Sequence, residues 1–90
     1  MNSGLSGIQV YPNPAASNAQ VDVVFNLSAN AMVKTVVTDM NGRVVLSNEA
    51  KQFVAGQNAV VVNTNGLARG IYMVTLESAA GRVSSKLTVN

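Results

Sequence analysis

The chain contains 90 residues, of which 48% are hydrophobic and 11% charged, and this favours one ordered globular domain over a disordered segment. It has no cysteine and no histidine, which excludes disulfides, thiolate metal sites, cysteine nucleophiles and a histidine general base. The net charge of +2 comes from lysines and arginines that are scattered singly along the chain, so we expect no nucleic-acid site. The sequence has no apolar run of about 18 residues, so we predict no transmembrane helix.

Residues 1–7 are mostly small and polar, which is typical of a flexible linker or a cloning remnant joined to something upstream. We therefore expect the domain to span residues 8–90. The first strand is predicted at residues 8–11. It should end at Pro12-Asn13-Pro14, because proline cannot donate to a β-ladder and restricts the residue before it.

The second strand is the clearest, because apolar and polar residues alternate between residues 20 and 27. Its predicted core face consists of Val21, Val23, Phe25 and Leu27. Its predicted solvent face consists of Gln20, Asp22 and Asn26. One face of this strand should therefore be buried and the other wet.

The third strand is predicted at residues 32–39, with Val33, Thr35 and Val37 on one face. It meets Asn41-Gly42, and Asn-Gly between apolar runs predicts a β-hairpin with a type I′ turn, which needs two residues with positive φ. A fourth strand at residues 43–49 would then pair with the third in antiparallel orientation.

Three further strands are predicted at residues 58–63, 71–77 and 83–89. Before the sixth strand, Gly66 and Gly70 bracket a Leu67-Ala68-Arg69 turn. Tyr72 should lie on the core face of that strand, with its hydroxyl bonded near the rim. Seven short antiparallel strands predict an all-β fold, a β-sandwich of immunoglobulin-like size with two packed sheets.

We predict no catalytic, metal or cofactor-binding residues in this chain. The segment from Asp39 to Gly42 faintly matches the opening of a calcium loop, but Asn48 stands where the bidentate Glu would be needed. We expect Asp39 to accept backbone hydrogen bonds across the turn instead. The tripeptide Asn26-Leu27-Ser28 has the N-glycosylation spacing, which is common by chance.

Five motifs in register resemble the type A C-terminal sorting domain of the type IX (Por) secretion system of Bacteroidetes, over about residues 8–90. They are Tyr11-Pro12-Asn13-Pro14-Ala15, Asp39-Met40-Asn41-Gly42-Arg43-Val44-Val45, Gly56-Gln57-Asn58 with Val60 and Val62, Gly66-Leu67-Ala68-Arg69-Gly70-Ile71-Tyr72, and Lys86-Leu87-Thr88-Val89. Any one of them alone would indicate a turn or a strand and nothing more.

The resemblance implies a seven-stranded immunoglobulin-like sandwich at the C-terminus of a larger cargo protein. In that family the domain directs the cargo from the periplasm through the outer-membrane translocon, with its shuttle components, to the surface or the medium. A sortase-like cysteine protease at the cell surface typically removes the domain. The domain would thus be a substrate and not an enzyme, with no cofactor, no nucleic-acid partner and no membrane-spanning segment.

The resemblance also assigns roles to positions of this chain. Residues 12–14 would mark the start of the domain, residues 39–43 and 66–72 match the middle motifs, and residues 86–89 match the terminal motif. One departure is that Asn90 stands where a basic residue often follows.

We expect the terminal strand to carry recognition, through five residues: Ser84, Lys86, Leu87, Thr88 and Val89. At a sheet edge, this strand would offer unpaired backbone groups to a receptor by strand addition, with Ser84, Lys86 and Thr88 facing outward.

Two alternative functions remain open. A carbohydrate-binding or adhesive immunoglobulin-like module would need exposed aromatic residues, and Phe53, predicted between the fourth and fifth strands, is the single plausible one. A passive spacer domain would make no contribution to export.

Overall fold

The computed structural model describes residues 4–16, 19–79 and 81–90. Its seven strands are β1 (Leu5–Tyr11), β2 (Gln20–Leu27), β3 (Ala31–Asp39), β4 (Val44–Phe53), β5 (Gly56–Asn63), β6 (Gly70–Ser78) and β7 (Gly81–Val89). They form a three-stranded sheet in the order β1-β2-β5 and a four-stranded sheet in the order β4-β3-β6-β7, with every strand pair antiparallel. The predicted all-β, immunoglobulin-like sandwich is confirmed.

The core lies between the two sheets and is built from alternate residues of the strands. Its fully buried members include Leu5, Val21, Val23, Phe25, Val37, Val62, Val74, Leu76 and Leu87. The predicted faces of β2 are confirmed, because Val21, Val23, Phe25 and Leu27 are buried and Gln20, Asp22 and Asn26 are exposed. No described residue belongs to a helix long and apolar enough to cross a membrane.

β1 begins at Leu5, three residues before the predicted start of the first strand. Leu5 is buried in the core and pairs with Leu27 of β2. Burial of this side chain stabilises the earlier start of the strand. The register shifts between Ser6 and Gln9, where Gly7 has a φ of +68°. Residues 5–7 of the predicted linker therefore belong to the strand.

β4 continues to Phe53, four residues beyond the predicted end of the fourth strand. The Phe53 ring is half-buried and packs edge-on against Phe25, with ring centroids 5.3 Å apart and planes at 76°. Such aromatic pairs add to the stability that their burial provides. The prediction that Phe53 lies between two strands as an exposed aromatic is therefore wrong. Phe53 was the single residue that favoured a carbohydrate-binding site, so this alternative loses its support.

The β3–β4 turn differs from the predicted type I′ turn. The Gly42 N–H donates to the Asp39 carbonyl over 3.0 Å, and the Asp39 N–H donates to the Arg43 carbonyl over 2.9 Å. The loop therefore has three residues, with Met40 and Asn41 central to the turn and Gly42 following at a φ of +84°. The backbone N–H groups of Asn41 and Arg43 both donate to the Asp39 side chain, and these two hydrogen bonds favour the longer loop.

The two long sides of the sandwich differ. On one side β1 approaches β7, and Ala15 forms a parallel bridge with Val89 that closes the gap between the sheets. On the other side β4 and β5 leave an open groove, lined in part by Val33, Phe53 and Val60.

Candidate recognition site at one end of the sandwich

Four of the five motifs meet at one end of the sandwich, which we name the motif end: residues 12–15, 39–43, 66–72 and 86–89. Strand register explains the convergence, since Asp39 pairs with Tyr72, and Tyr72 pairs with Leu87. The remaining motif forms most of β5, which begins at the opposite end, where Gly56 pairs with Leu27, and runs toward the motif end.

The Pro12–Ala15 segment lies along the outer edge of β7. The side chain of Asn13 donates from Nδ2 to the Lys86 carbonyl over 2.8 Å, and its Oδ1 accepts from the Thr88 N–H over 3.0 Å. The Ala15 N–H donates to the Thr88 carbonyl over 2.7 Å. The Asn90 N–H donates to the Ala15 carbonyl over 2.8 Å. This segment therefore occupies the edge where a receptor strand would need free backbone groups.

The edge of β7 is consequently divided into a covered and an uncovered part. Because Thr88 directs its N–H and carbonyl away from β6, alternation along an antiparallel strand directs those of Arg82 and Ser84 outward as well. Among the described residues, no backbone partner meets the outward groups of Arg82 and Ser84. Strand addition at residues 86–90 is blocked in this conformation, and the stretch around Ser84 is the open one.

The side chains of the predicted recognition residues fall into two groups. Ser84 and Lys86 are exposed and Thr88 is half-buried on the outer face of β7. Leu87 and Val89 are only 0% and 2% exposed and belong to the core. A receptor can contact the first group on the folded domain, whereas the second group anchors the strand.

The structural motif around Tyr72 is held by one short hydrogen bond. The Tyr72 ring is buried, and its hydroxyl donates to the Ala68 carbonyl over 2.6 Å, as predicted for a core tyrosine bonded at the rim. Gly66, with a φ of +85°, completes a turn in which the Leu67 N–H donates to the Thr64 carbonyl.

A shallow depression of about 460 Å³ brings the two middle motifs together at the motif end. It is lined by Asp39, Arg43, Val45, Gly66, Leu67, Ala68 and Tyr72. It is open to solvent, has a mixed lining and lies between two turns. Arg43 and Asp39 form an ion pair within it.

Asp39 organises the hairpin electrostatically. Its Oδ1 accepts hydrogen bonds from the N–H groups of Arg43 and Asn41, each at 2.9 Å, which confirms the role predicted for this side chain. The Arg43 Nε lies 3.4 Å from Oδ2. The Arg43 backbone N–H is the main reason that the pKa of Asp39 lies below 3.8; partial desolvation opposes it, and the Asn41 N–H and the Arg43 charge assist it.

Thr64 is a structural residue of the motif end that sequence reasoning missed. It is fully buried, and its hydroxyl accepts from the Ala19 N–H over 2.8 Å and lies 2.9 Å from the Ala16 carbonyl oxygen, to which it donates. Its own N–H donates to the Ala19 carbonyl over 2.8 Å. A lone threonine after a strand carries no sequence signal for contacts 45 residues away.

No group of three or more carboxylates, histidines or cysteines capable of holding a metal ion occurs among the described residues. The motif end therefore offers hydrogen-bonding edges, a few charges and apolar anchors, which suit contact with another polypeptide.

Comparison with known proteins identifies the fold and the family. A solved structure of the Pseudomonas fluorescens alkylpurine DNA glycosylase AlkC, bound to DNA containing an abasic site analogue, matches with a TM-score of 0.61 and 14% identity. The match covers 96% of this chain and 30% of that one, and at this identity it shows a shared fold alone. A comparison with curated proteins found no match. The family model described as a secretion system C-terminal sorting domain matches residues 9–90. The chain therefore belongs to the family of C-terminal sorting domains that act as export signals of the type IX secretion system.

Proposed function

We propose that the export machinery reads this sorting domain in its folded state, through the outward face of β7. The proposal rests on the contrast between exposed and buried side chains along that strand. Ser84 and Lys86 are exposed, while Leu87 and Val89 are buried in the core. A strand built in this way presents a fixed pattern of side chains to a partner, because its alternate residues are anchored.

The uncovered stretch of the β7 edge supports a second contact with the same partner. The outward N–H and carbonyl groups of Arg82 and Ser84 are available for main-chain hydrogen bonds, which supply affinity in strand addition, while side chains supply specificity. Lys86 adds a positive charge beside this stretch. The partners proposed for this surface are the type IX translocon and its shuttle components.

The proposed route follows from this role. The cargo, joined ahead of β1, crosses the periplasm and then the outer membrane, and a sortase-like cysteine protease at the cell surface removes the domain. The domain itself performs no catalysis in this proposal. In this proposal, the cargo is joined to the domain ahead of Leu5, where β1 begins.

A reporter fusion tests the proposal. Residues 1–90 are fused behind a reporter that carries an inner-membrane signal, and surface reporter is measured in a type IX host and in the same host lacking the translocon. We expect surface reporter only where the translocon is present. Equal surface reporter in both hosts would contradict the assigned export route.

Deletion of residues 86–90 from the same fusion distinguishes a loss of recognition by the export machinery from a loss of the folded sandwich. We expect loss of export, and circular dichroism of the truncated domain then shows whether the sandwich persists. Normal export of the truncated fusion would contradict a role for the end of β7.

A further inference from the structure

The sandwich has four sheet edges, and three of them carry features that discourage pairing with another strand. The edge of β7 is covered near its end by Asn13 and Ala15. The edge strand β4 contains two register shifts relative to β3 and the charged residues Glu49 and Lys51. The edge strand β1 contains a register shift at Gly7 and leads directly into Pro12.

β5 has none of these protections. It pairs with β2 over eight consecutive residues, from Gly56 to Asn63, without a register shift. Its sequence contains no charged residue and no proline. The Val61 side chain is 51% exposed. A long, regular and uncharged edge is the kind that pairs with an additional strand.

The hydrogen-bonding groups on the free edge of β5 can be assigned by alternation. The Thr64 N–H donates to the Ala19 carbonyl, which makes this pair a hydrogen-bonded one in the β2–β5 ladder. Because the register continues unbroken, Val62 and Val60 also bond toward β2, while Val61 and Ala59 direct their N–H and carbonyl groups outward.

A groove of about 290 Å³ lies beside this edge, between β5 and β4. Its apolar lining includes Val33, Phe53 and Val60. Its polar lining consists of Thr35, Asn48 and the exposed residues Glu49 and Lys51. The groove exists because the β5 sheet has three strands and the opposite sheet has four, with β1 close to β7 on the far side. Within the described part of the chain, no strand therefore lies above the middle of β4.

We propose that the free edge of β5 accepts one extended peptide strand of a partner, with alternate apolar side chains that enter the groove and uncharged residues along its centre. Such a strand becomes the fourth strand of the smaller sheet and covers β4. Its outward neighbours on β5 are the backbone groups of Ala59 and Val61. Neutrality is required because a charged side chain facing Phe53 and Val60 would lose its hydration.

Two arguments select a single strand over a second copy of this domain. Adjacent strands lie about 4.8 Å apart, so direct pairing of two β5 edges would bring two overhanging β4 strands into the same space. The β5 edge has eight residues and is about 26 Å long. The surface area that one added strand buries along this edge is well below the roughly 800 Å² that each partner of a stable dimer buries.

The probe for this proposal is a capped peptide with the sequence of residues 20–27, in which Asn replaces Asp22 so that the centre is uncharged, and with two added C-terminal lysines for solubility. This sequence pairs with β5 in the fold and alternates apolar with mostly polar residues. Amide hydrogen exchange is followed by NMR in the complete domain with and without peptide. We expect the exchange of the Ala59 and Val61 amides to slow about tenfold at peptide concentrations near 1 mM.

Two variants control for side chain and backbone. Val61→Pro removes an outward N–H without removing a bond to β2, so we expect peptide affinity to fall about fivefold to tenfold. Val61→Thr keeps the N–H and the branched shape, and should bind like the original. If Val61→Pro fails to fold, Ala59→Pro makes the same test at the neighbouring outward amide.

Several results would overturn the inference. They are unchanged exchange at Ala59 and Val61, slowed exchange at Arg82 and Ser84 instead, and sedimentation of the domain as a dimer through β5. The inference is independent of the β7 surface, so its failure leaves the export proposal standing, and failure of export in the fusion leaves this edge untouched.

Discussion

Asn13 and Thr88, 75 residues apart in the chain, are joined by a 3.0 Å hydrogen bond from the Thr88 N–H to the Asn13 side-chain oxygen. The Nδ2 of the same Asn13 side chain donates to the Lys86 carbonyl, so that one side chain bonds to two backbone groups of β7 as a neighbouring strand would. The first motif of the chain therefore protects the end of the last one.

Replacement of Asn13 tests this protection. Asn13→Ala should lower the free energy of unfolding by about 1 kcal/mol and speed exchange of the Thr88 amide, because two hydrogen bonds to an exposed edge are lost. Urea denaturation and hydrogen exchange measure both effects. The control is Asn65→Ala, at an exposed turn, which should leave the Thr88 amide unchanged; equal effects of the two variants would contradict the assigned role.

Tyr72→Phe should lower the free energy of unfolding by about 1 kcal/mol, because it deletes the hydroxyl that donates to the Ala68 carbonyl and leaves that carbonyl without its partner. Tyr11→Phe is the matched control, since Tyr11 is 72% exposed and should tolerate the change. The urea midpoints of the two variants give the comparison. A midpoint of Tyr72→Phe equal to that of Tyr11→Phe would show that the bond adds nothing.

Thr64→Val keeps the shape of a fully buried side chain but removes a hydroxyl that bonds with Ala19 and Ala16. We expect a loss of about 1–3 kcal/mol, because buried backbone groups are left unpaired. Thr38→Val, on the outer face of β3, should change stability by less than about 0.5 kcal/mol. Thermal denaturation of both variants tests the difference, and a Thr64→Val protein as stable as the original would remove Thr64 from the site.

The lowered pKa of Asp39 predicts the pH dependence of the hairpin. A carboxyl whose pKa is lowered in the folded state binds its proton more readily when unfolded, so its contribution is complete above about pH 5 and is lost as pH falls through the folded pKa. Between pH 5 and about pH 3, unfolding midpoints should therefore fall less for Asp39→Asn than for the original. Parallel pH profiles for the two proteins would contradict this assignment.

Periodicity was enough to predict the strands and their buried faces. Apolar and polar residues alternate in β2, and this predicts that Val21, Val23, Phe25 and Leu27 belong to the core, because successive side chains of a strand point to opposite faces. Tyr72 was placed correctly for the same reason. Periodicity does not fix the strand ends, because Leu5 and Phe53 join the core through contacts with Leu27 and Phe25 on other strands.

The polar contacts of the motif end could not be predicted in the same way. Asn13 and Thr64 bond to backbone groups that are 73 and 45 residues away, and no local pattern encodes such distances. The Asn41-Gly42 pair predicted a tighter turn than the one formed, because the hydrogen bonds of the Asp39 side chain to Asn41 and Arg43 favour a three-residue loop. Side-chain capping competed there with the intrinsic preference of the turn residues.

Export of surface variants of the fusion tests the central claim most directly, namely that the sorting signal is read from the outward face of β7. The test variant replaces Ser84, Lys86 and Thr88 with alanine, and the control replaces Gln20, Asp22 and Asn26 on the outer face of β2. The measured quantity is the fraction of reporter at the cell surface, after circular dichroism has shown both domains to be folded. We predict that the β7 variant loses surface reporter and the β2 variant retains it; equal export of the two would contradict the claim.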